Sequence, residues 1–195
     1  DAKKVGFDDL KKVIFHAQKE CEDVGFLANI IENHDEPRGA SRYLPDYLQN
    51  EDGIKLLGTI SVMLRGIPFI YQEIGMRNCH VASIDDYNDI STKNEYAVAI
   101  DAGCTVEEAM EACYENSRDN ARTPMQWDDS AQAGFTTGTP WLFVNPNYKE
   151  INVKEQLGRE DSVWYYYQKL IALRKSEDYK EVFTYGKVVP MFVEK

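Results

Sequence analysis

The chain has 195 residues, of which 43% are hydrophobic and 28% charged, and its net charge is −11 at pH 7. This composition is typical of a globular domain with a core and unlike that of a disordered chain. It contains no dense Lys/Arg run, which argues against a nucleic-acid partner, and no apolar run near the roughly 20 residues of a membrane helix.

The first third of the chain predicts two helix–strand units. Apolar residues recur at helical spacing over 7–22, and the apolar run 26–31 indicates a buried strand. A second helix is predicted over 53–65, and the run 69–71 indicates a second buried strand. This order is typical of a parallel α/β sheet, and by itself it fits an open sheet and a closed barrel equally well.

The rest of the chain is less regular. The segment 85–102 is predicted to be partly helical, and a capping box opens a predicted helix over 105–116. The stretch 117–160 is rich in Gly, Pro, Asn and Thr, and a loop of that length is usually functional. The pattern then predicts an amphipathic helix over 161–175 and β-strand over 182–193.

The four cysteines give no sign of a metal site. They are Cys21, Cys79, Cys104 and Cys113, and they form neither a CxxC pair nor a metal-ligand spacing. Cys113 shares a predicted helical face with Ala109, which favours a small buried hydrophobe. We therefore expect a reducing, cytoplasmic setting, no metal and no cofactor.

The first candidate for chemistry is Asn33-His34-Asp35, directly after a predicted strand. In a parallel barrel this is the rim on which active sites are built. A carboxylate there could contact sugar hydroxyls or a developing positive charge, and His34 could donate a hydrogen bond to the same sugar. The alternative is that Asp35 only caps a turn before Pro37.

The second candidate is the segment 117–127, which contains Arg118, Asp119 and Arg122. Arginine donors suit a carboxylate partner or a ring of hydroxyls. On spacing alone, a loop held by an internal Arg–Asp pair is the favoured alternative. The aromatic residues of the following loop could stack on sugars, although pinning the loop to the surface is favoured; they are Phe135, Trp141, Phe143 and Tyr148.

Four runs, taken together and in order, resemble the oligo-1,6-glucosidase and α-glucosidase branch of glycoside hydrolase family 13, the α-amylase superfamily. They lie at 33–38, 117–127, 133–141 and 144–153. The resemblance implies that 1–176 is the C-terminal part of a (β/α)8 TIM barrel, with the units around strands seven and eight. It implies that 177–195 begins a C-terminal β-sandwich domain.

The resemblance also implies roles for individual residues. Asp35 matches the carboxylate that stabilises the transition state, and His34 matches its sugar-binding neighbour. Arg118 matches the arginine that reaches the same sugar, and Arg122 of the same run is a further substrate-binding candidate. A supporting carboxylate of this kind strengthens its contact as the sugar ring flattens toward an oxocarbenium ion.

Two departures from the family pattern limit this expectation. The family's nucleophile aspartate follows a Gly-Phe-Arg run and its acid glutamate follows strand five, and neither motif occurs here. Retaining hydrolysis needs both carboxyl groups, roughly 5 Å apart, so we expect a fragment that is inactive alone and whose partner is the missing N-terminal part of the barrel. In the run 71–76, the five residues Tyr71 to Gly75 stand where the family has the seven residues Tyr-Gln-Gly-Glu-Glu-Ile-Gly. The loss of two residues shortens the rim after strand eight.

The parent protein is thus expected to be a retaining exo-α-glucosidase that acts on isomalto- or malto-oligosaccharides. Trehalose-6-phosphate hydrolases share much of this C-terminal pattern and stay an alternative. A non-catalytic carbohydrate-binding remnant of the same fold is another. An interaction module is the third, because two barrel strands would expose unpaired edges that favour self-association.

Overall fold

The computed structural model describes residues 6–72 and 77–191. Within these ranges the predicted α/β order is confirmed. The helices are α1 (Phe7–Glu20), α2 (Gly39–Tyr43), α3 (Glu51–Met63), α4 (Ile90–Asp101), α5 (Val106–Asn116), α6 (Val153–Leu157), α7 (Val163–Lys175) and α8 (Lys180–Tyr185). The strands are β1 (Ala28–Ile30) and β2 (Ile67–Phe69), and they pair in parallel.

The two strands and helix α3 form a β–α–β unit. Helix α3 connects the two strands, and the Asn29 Nδ2 atom donates to the Leu64 carbonyl at 3.1 Å at the end of that helix. Gly66 then turns the chain into β2 with a φ of +130°, and a Cβ atom there would clash with the Leu27 carbonyl. Only glycine combines this conformation with so close a backbone approach.

The expectation that both strands are buried is wrong for one face of the sheet. Asn29 is half-buried, but Ile30, Ile67 and Phe69 are about half exposed, at 47%, 55% and 54%. A parallel strand is buried only when both faces of its sheet are covered. Helix α3 covers one face, and nothing in the described parts of the chain covers the other.

The main core lies where helices α2, α3 and α7 meet. Its buried residues are Ala40, Leu44, Ile54, Leu57 and Val163. Asn50 caps α3 by accepting from the Asp52 and Gly53 amides, both at 3.1 Å. The hydroxyl groups of Thr59 and Tyr166 then join α3 to α7 at 2.7 Å. The two helices therefore pack through both apolar and polar contacts.

Helices α4 and α5 confirm the prediction for the middle of the chain. The Asp89 side chain caps α4 by accepting from the Thr92 amide at 3.0 Å. At the start of α5, the predicted capping box is present between Thr105 and Glu108. Ala109 and Cys113 are buried, as their shared helical face indicated.

The C-terminal segment corrects the prediction of β-strand over 182–193. Within this range, residues 182–185 lie in helix α8, and residues 186–191 form no strand. The last two residues of the predicted range lie outside the described part of the chain. Arg174 donates to the Phe183 carbonyl at 3.1 Å and so fastens α8 to α7. A strand needs a neighbouring strand to pair with, and the described structure gives this segment none. The domain boundary at 176/177 stays a prediction.

The short run 71–76 lies partly outside the described residues, because 73–76 are not described, so its effect on the rim stays a prediction. None of the described helices is both long and apolar enough to cross a membrane.

Candidate functional site

Asp35 lies in the loop that follows the carboxyl end of β1. The Asp35 amide donates to the Asn33 Oδ1 atom at 2.7 Å, so Asn33 and not Asp35 supplies the side-chain acceptor of this turn. The Asp35 carboxylate is 55% exposed and is free of the turn's backbone hydrogen bonds. The interpretation of Asp35 as a turn cap is therefore wrong.

Three predicted site residues contact the Asp35 carboxylate. Arg122 Nη2 donates to Asp35 Oδ1 at 2.9 Å, and Arg118 Nη1 lies 3.5 Å from the same oxygen. The other oxygen, Oδ2, lies 3.0 Å from His34 Nε2. The structure thus brings together all four residues singled out in the sequence, although 87 positions separate Arg122 from Asp35.

A second bond orients Arg122. Its Nε atom donates to the His34 carbonyl at 2.7 Å while Nη2 contacts Asp35. Two donors of one planar guanidinium therefore hold two consecutive residues of the β1 loop. A planar fork of this kind fixes orientation as well as distance, which a lysine could not do.

The arginine segment, residues 117–127, is not held by an internal Arg–Asp pair, so that alternative is wrong. Asp119 is buried, and its Oδ2 atom accepts from the backbone amides of Asn88 and Asp89 at 2.7 and 2.8 Å. The carboxylate of Asp119 therefore fixes the loop before α4, and both arginines point to other acids.

Asp89 is a site residue that the sequence analysis missed. The Nε and Nη2 atoms of Arg118 both lie 2.6 Å from Asp89 Oδ1, and Asp89 Oδ2 accepts from Thr92. Burial raises the pKa of Asp89, but the hydrogen bonds from Thr92 and Arg118 outweigh it and hold the pKa below its usual value. The sequence offered little signal, because Asp89 lies inside the segment 85–102 predicted to be partly helical, and only the structure shows that it is the N-cap of α4.

The charges of the site balance. Asp35 and Asp89 carry two negative charges, and Arg118 and Arg122 carry two positive charges at neutral pH. Such a site suits a neutral, hydroxyl-rich ligand better than a strongly charged one. Elsewhere among residues 6–72 and 77–191, no group of three His, Cys, Asp or Glu side chains is placed to hold a metal ion.

The site is an open surface and not a closed pocket. A cavity of about 830 Å³ lies beside helix α7, and none of the four predicted site residues lines it. Among the loop aromatics, the structure shows packing against the fold for Phe143, and sugar stacking by the others stays a prediction. Phe143 packs edge-on against the buried Tyr87 with ring centroids 6.3 Å apart, whereas Phe135 and Trp141 are 44% and 62% exposed.

The chain matches a protein-family model and several curated proteins over most of its length. Residues 1–186 match the family model described as alpha amylase, catalytic domain. The oligo-1,6-glucosidase of Parageobacillus thermoglucosidasius is 50% identical over 181 residues, which cover 91% of this chain and 32% of that protein. The oligo-1,6-glucosidase of Bacillus cereus is 47% identical, over 95% of this chain and 33% of that protein.

A solved structure is similar over nearly the same extent. The crystal structure of Bacillus licheniformis trehalose-6-phosphate hydrolase matches with a TM-score of 0.85 and 41% identity, and it covers 93% of this chain and 34% of that one. The chain spans about a third of the length of the curated relatives it matches.

Proposed function

The chain belongs to the α-amylase catalytic-domain family, and from that premise we propose that it forms the transition-state-stabilising side of an exo-acting α-glucosidase site. The predicted family and TIM-barrel fold class are both confirmed by the comparisons. The proposed enzyme is a retaining glycosidase that removes terminal glucosyl groups from short isomalto- or malto-oligosaccharides. The observation that carries the proposal is the exposed carboxylate of Asp35, held by Arg122 at the carboxyl end of β1.

The geometry suggests what each residue would do. Asp35 would accept hydrogen bonds from sugar hydroxyls, and its negative charge would stabilise the positive charge that develops on the ring. His34 would donate to the same glucosyl group from the adjacent position. Arg118 and Arg122 would hold the carboxylate in place, so that little reorganisation is needed when the transition state forms.

Catalysis by this site needs groups that the sequence lacks. The nucleophile and the acid belong to motifs that are absent here, so the proposed partner is the remainder of a family barrel. The half-exposed apolar residues of β1 and β2 support this partner, because an exposed apolar sheet face is typical of a surface that packs against another part of a protein. Self-association through the strand edges is the competing proposal. We also propose a cytoplasmic setting, supported by four free cysteines.

A trehalose-6-phosphate hydrolase is the second candidate, supported by the similarity to the Bacillus licheniformis structure. A phosphorylated substrate requires a positive charge that is not already neutralised. At the described site, Asp35 and Asp89 already balance the two arginines. The charge balance therefore favours the neutral oligosaccharide.

The first test uses the chain alone. Isomaltose and trehalose 6-phosphate are titrated separately into the ¹⁵N-labelled chain while the Arg122 Nε–H and His34 signals are followed. We expect isomaltose to shift both signals with a weak affinity of about 1 mM or above, and to give no sustained hydrolysis. Asp35→Asn should abolish the shifts, and Asp178→Asn, an exposed acid before α8, should not. Stronger binding of the phosphorylated sugar would favour the second candidate, and sustained hydrolysis would contradict the proposed division of roles.

The second test places the chain in a complete barrel. The matching third of the Bacillus cereus oligo-1,6-glucosidase is replaced by this chain, and kcat and KM for isomaltose are measured. We expect activity, and we expect Asp35→Asn to lower kcat by roughly a hundredfold or more with a smaller change in KM. A folded chimera whose kcat is unaffected by Asp35→Asn would overturn the proposal.

A further inference from the structure

Arg38 is a buried cation immediately beyond the proposed sugar site. It is 0% exposed, although arginine is rarely fully buried. Its Nε atom donates to the Asn120 carbonyl at 2.9 Å, Nη1 to the Gln72 carbonyl at 2.9 Å, and Nη2 to the Thr123 hydroxyl at 3.2 Å. These bonds satisfy donors on every nitrogen of the guanidinium, which explains how the side chain can be buried.

The partners of Arg38 belong to the segments that form the site. Asn120 and Thr123 flank Arg122, which holds the Asp35 carboxylate. Gln72 follows β2, so Arg38 also connects the chain segments that leave the two parallel strands. One side chain therefore links the β1 loop, the arginine segment and the exit of β2.

The backbone around Arg38 is fixed as well. Its own amide donates to the Asn78 Oδ1 atom at 3.0 Å, and the next amide, that of Gly39, donates to Glu32 Oε1 at 2.8 Å. The loop that carries His34 and Asp35 is thus tied at both ends, by Glu32 at its start and by Arg38 at its finish. With both ends of this loop fixed, the contact between Asp35 and Arg122 depends on the position of the 120–123 backbone, and Arg38 binds that backbone.

We propose that Arg38 is a positioning residue that sets the distance between Asp35 and Arg122. It does not touch the proposed sugar position, because its side chain is fully buried and donates to the Asn120 and Gln72 carbonyls and to the Thr123 hydroxyl. It acts through the 120–123 backbone, and its loss would let that backbone move away from the β1 loop. The Arg122 Nε–H···O bond to His34 would then open more often, and Asp35 would lose its fixed orientation. The catalytic meaning of this role rests on the proposed function.

The test measures this geometry directly and uses no sugar. The hydrogen-exchange rate of the Arg122 Nε–H is measured in the full chain for Arg38→Met and Arg38→Lys, with urea unfolding as the measure of global stability. We expect Arg38→Met to raise the exchange rate roughly tenfold or more, and we expect Arg38→Lys to recover only part of the loss, because lysine cannot reach three acceptors in one plane. The matched control is Arg42→Met, which removes a 40% exposed arginine one turn further along the chain.

A milder variant covers the case in which Arg38→Met does not fold. Thr123→Val removes only the acceptor of Nη2, and we expect it to raise the same exchange rate roughly two- to fivefold. Folded variants that exchange at the wild-type rate would overturn the role of Arg38. That result would not contradict the proposed function if isomaltose still shifted the Arg122 Nε–H and His34 signals of the wild-type chain. Absence of sugar binding with the expected exchange rates would overturn the proposed function alone.

Discussion

Glu32 is a buried carboxyl group whose ionisation should control how the stability of this chain varies with pH. It is 8% exposed, its Oε1 atom accepts from the Gly39 amide, and its Oε2 atom has no hydrogen-bond partner among the described residues. Burial raises the pKa of Glu32 to about 7, against the opposing effects of Arg38 and the Gly39 amide. Tyr167 faces the same group, and burial followed by the charge of Glu32 raises the pKa of that phenol.

The sign of the effect follows from proton binding. The ordinary pKa of this carboxyl is 4.5, so between 4.5 and about 7 the folded chain holds a proton that the unfolded chain has lost. The contribution of Glu32 to the free energy of unfolding is therefore fully present below pH 4.5 and is lost as the pH rises from there to about 7. A rise in pKa of this size corresponds to about 3 kcal/mol, at about 1.4 kcal/mol for each pKa unit.

Glu32→Gln removes the titration and keeps an oxygen for the Gly39 amide. Urea unfolding is measured from about pH 4 to about pH 8. Over this range we expect the free energy of unfolding of Glu32→Gln, minus that of wild type, to increase by about 3 kcal/mol. The matched control is Glu36→Gln in the same loop, whose side chain is 41% exposed and pairs with Arg42. If the difference between wild type and Glu32→Gln changes by less than about 0.5 kcal/mol over this range, burial does not keep Glu32 protonated and the reasoning is refuted.

Three further substitutions test the packing and the site, each by urea unfolding. Gly58→Ala should destabilise the chain by about 1–3 kcal/mol because the new Cβ would clash with the Tyr167 ring, whereas Gly25→Ala, with nothing within 4 Å, should have little effect. Asn50→Ala should lower stability by about 1 kcal/mol through loss of the α3 cap, and an unchanged value would mean that water replaces the cap fully. Asp89→Asn keeps the cap of α4 but weakens the contact with Arg118, which should lower the free energy of unfolding by about 1–3 kcal/mol. This difference from wild type should shrink below about pH 4, where the lowered pKa of Asp89 ceases to stabilise the fold. A difference that stays constant with pH would contradict this reasoning.

Helix starts are the places where sequence and structure agree most closely. Asn50, Asp89 and Thr105 each precede a helix and accept from its first amides. These are interactions between residues two or three positions apart, so a local pattern can reveal them, as the capping box at Thr105 did. The prediction for 182–193 failed because alternating apolar residues do not reveal whether a partner strand is near. Helix α8 is instead held against α7 by Arg174, which donates to the Phe183 carbonyl.

The site divides in the same way. The sequence by itself determined the family resemblance and the identities of His34, Asp35, Arg118 and Arg122, because those lie in short continuous runs. The tertiary structure decided which atoms meet: Arg122 reaches Asp35 across 87 positions, and Arg38 reaches the Asn120 carbonyl across 82. It also decided that Asp89 holds Arg118. Contacts of this range depend on how the strands and helices close around one another, and no local pattern of residues encodes that closure.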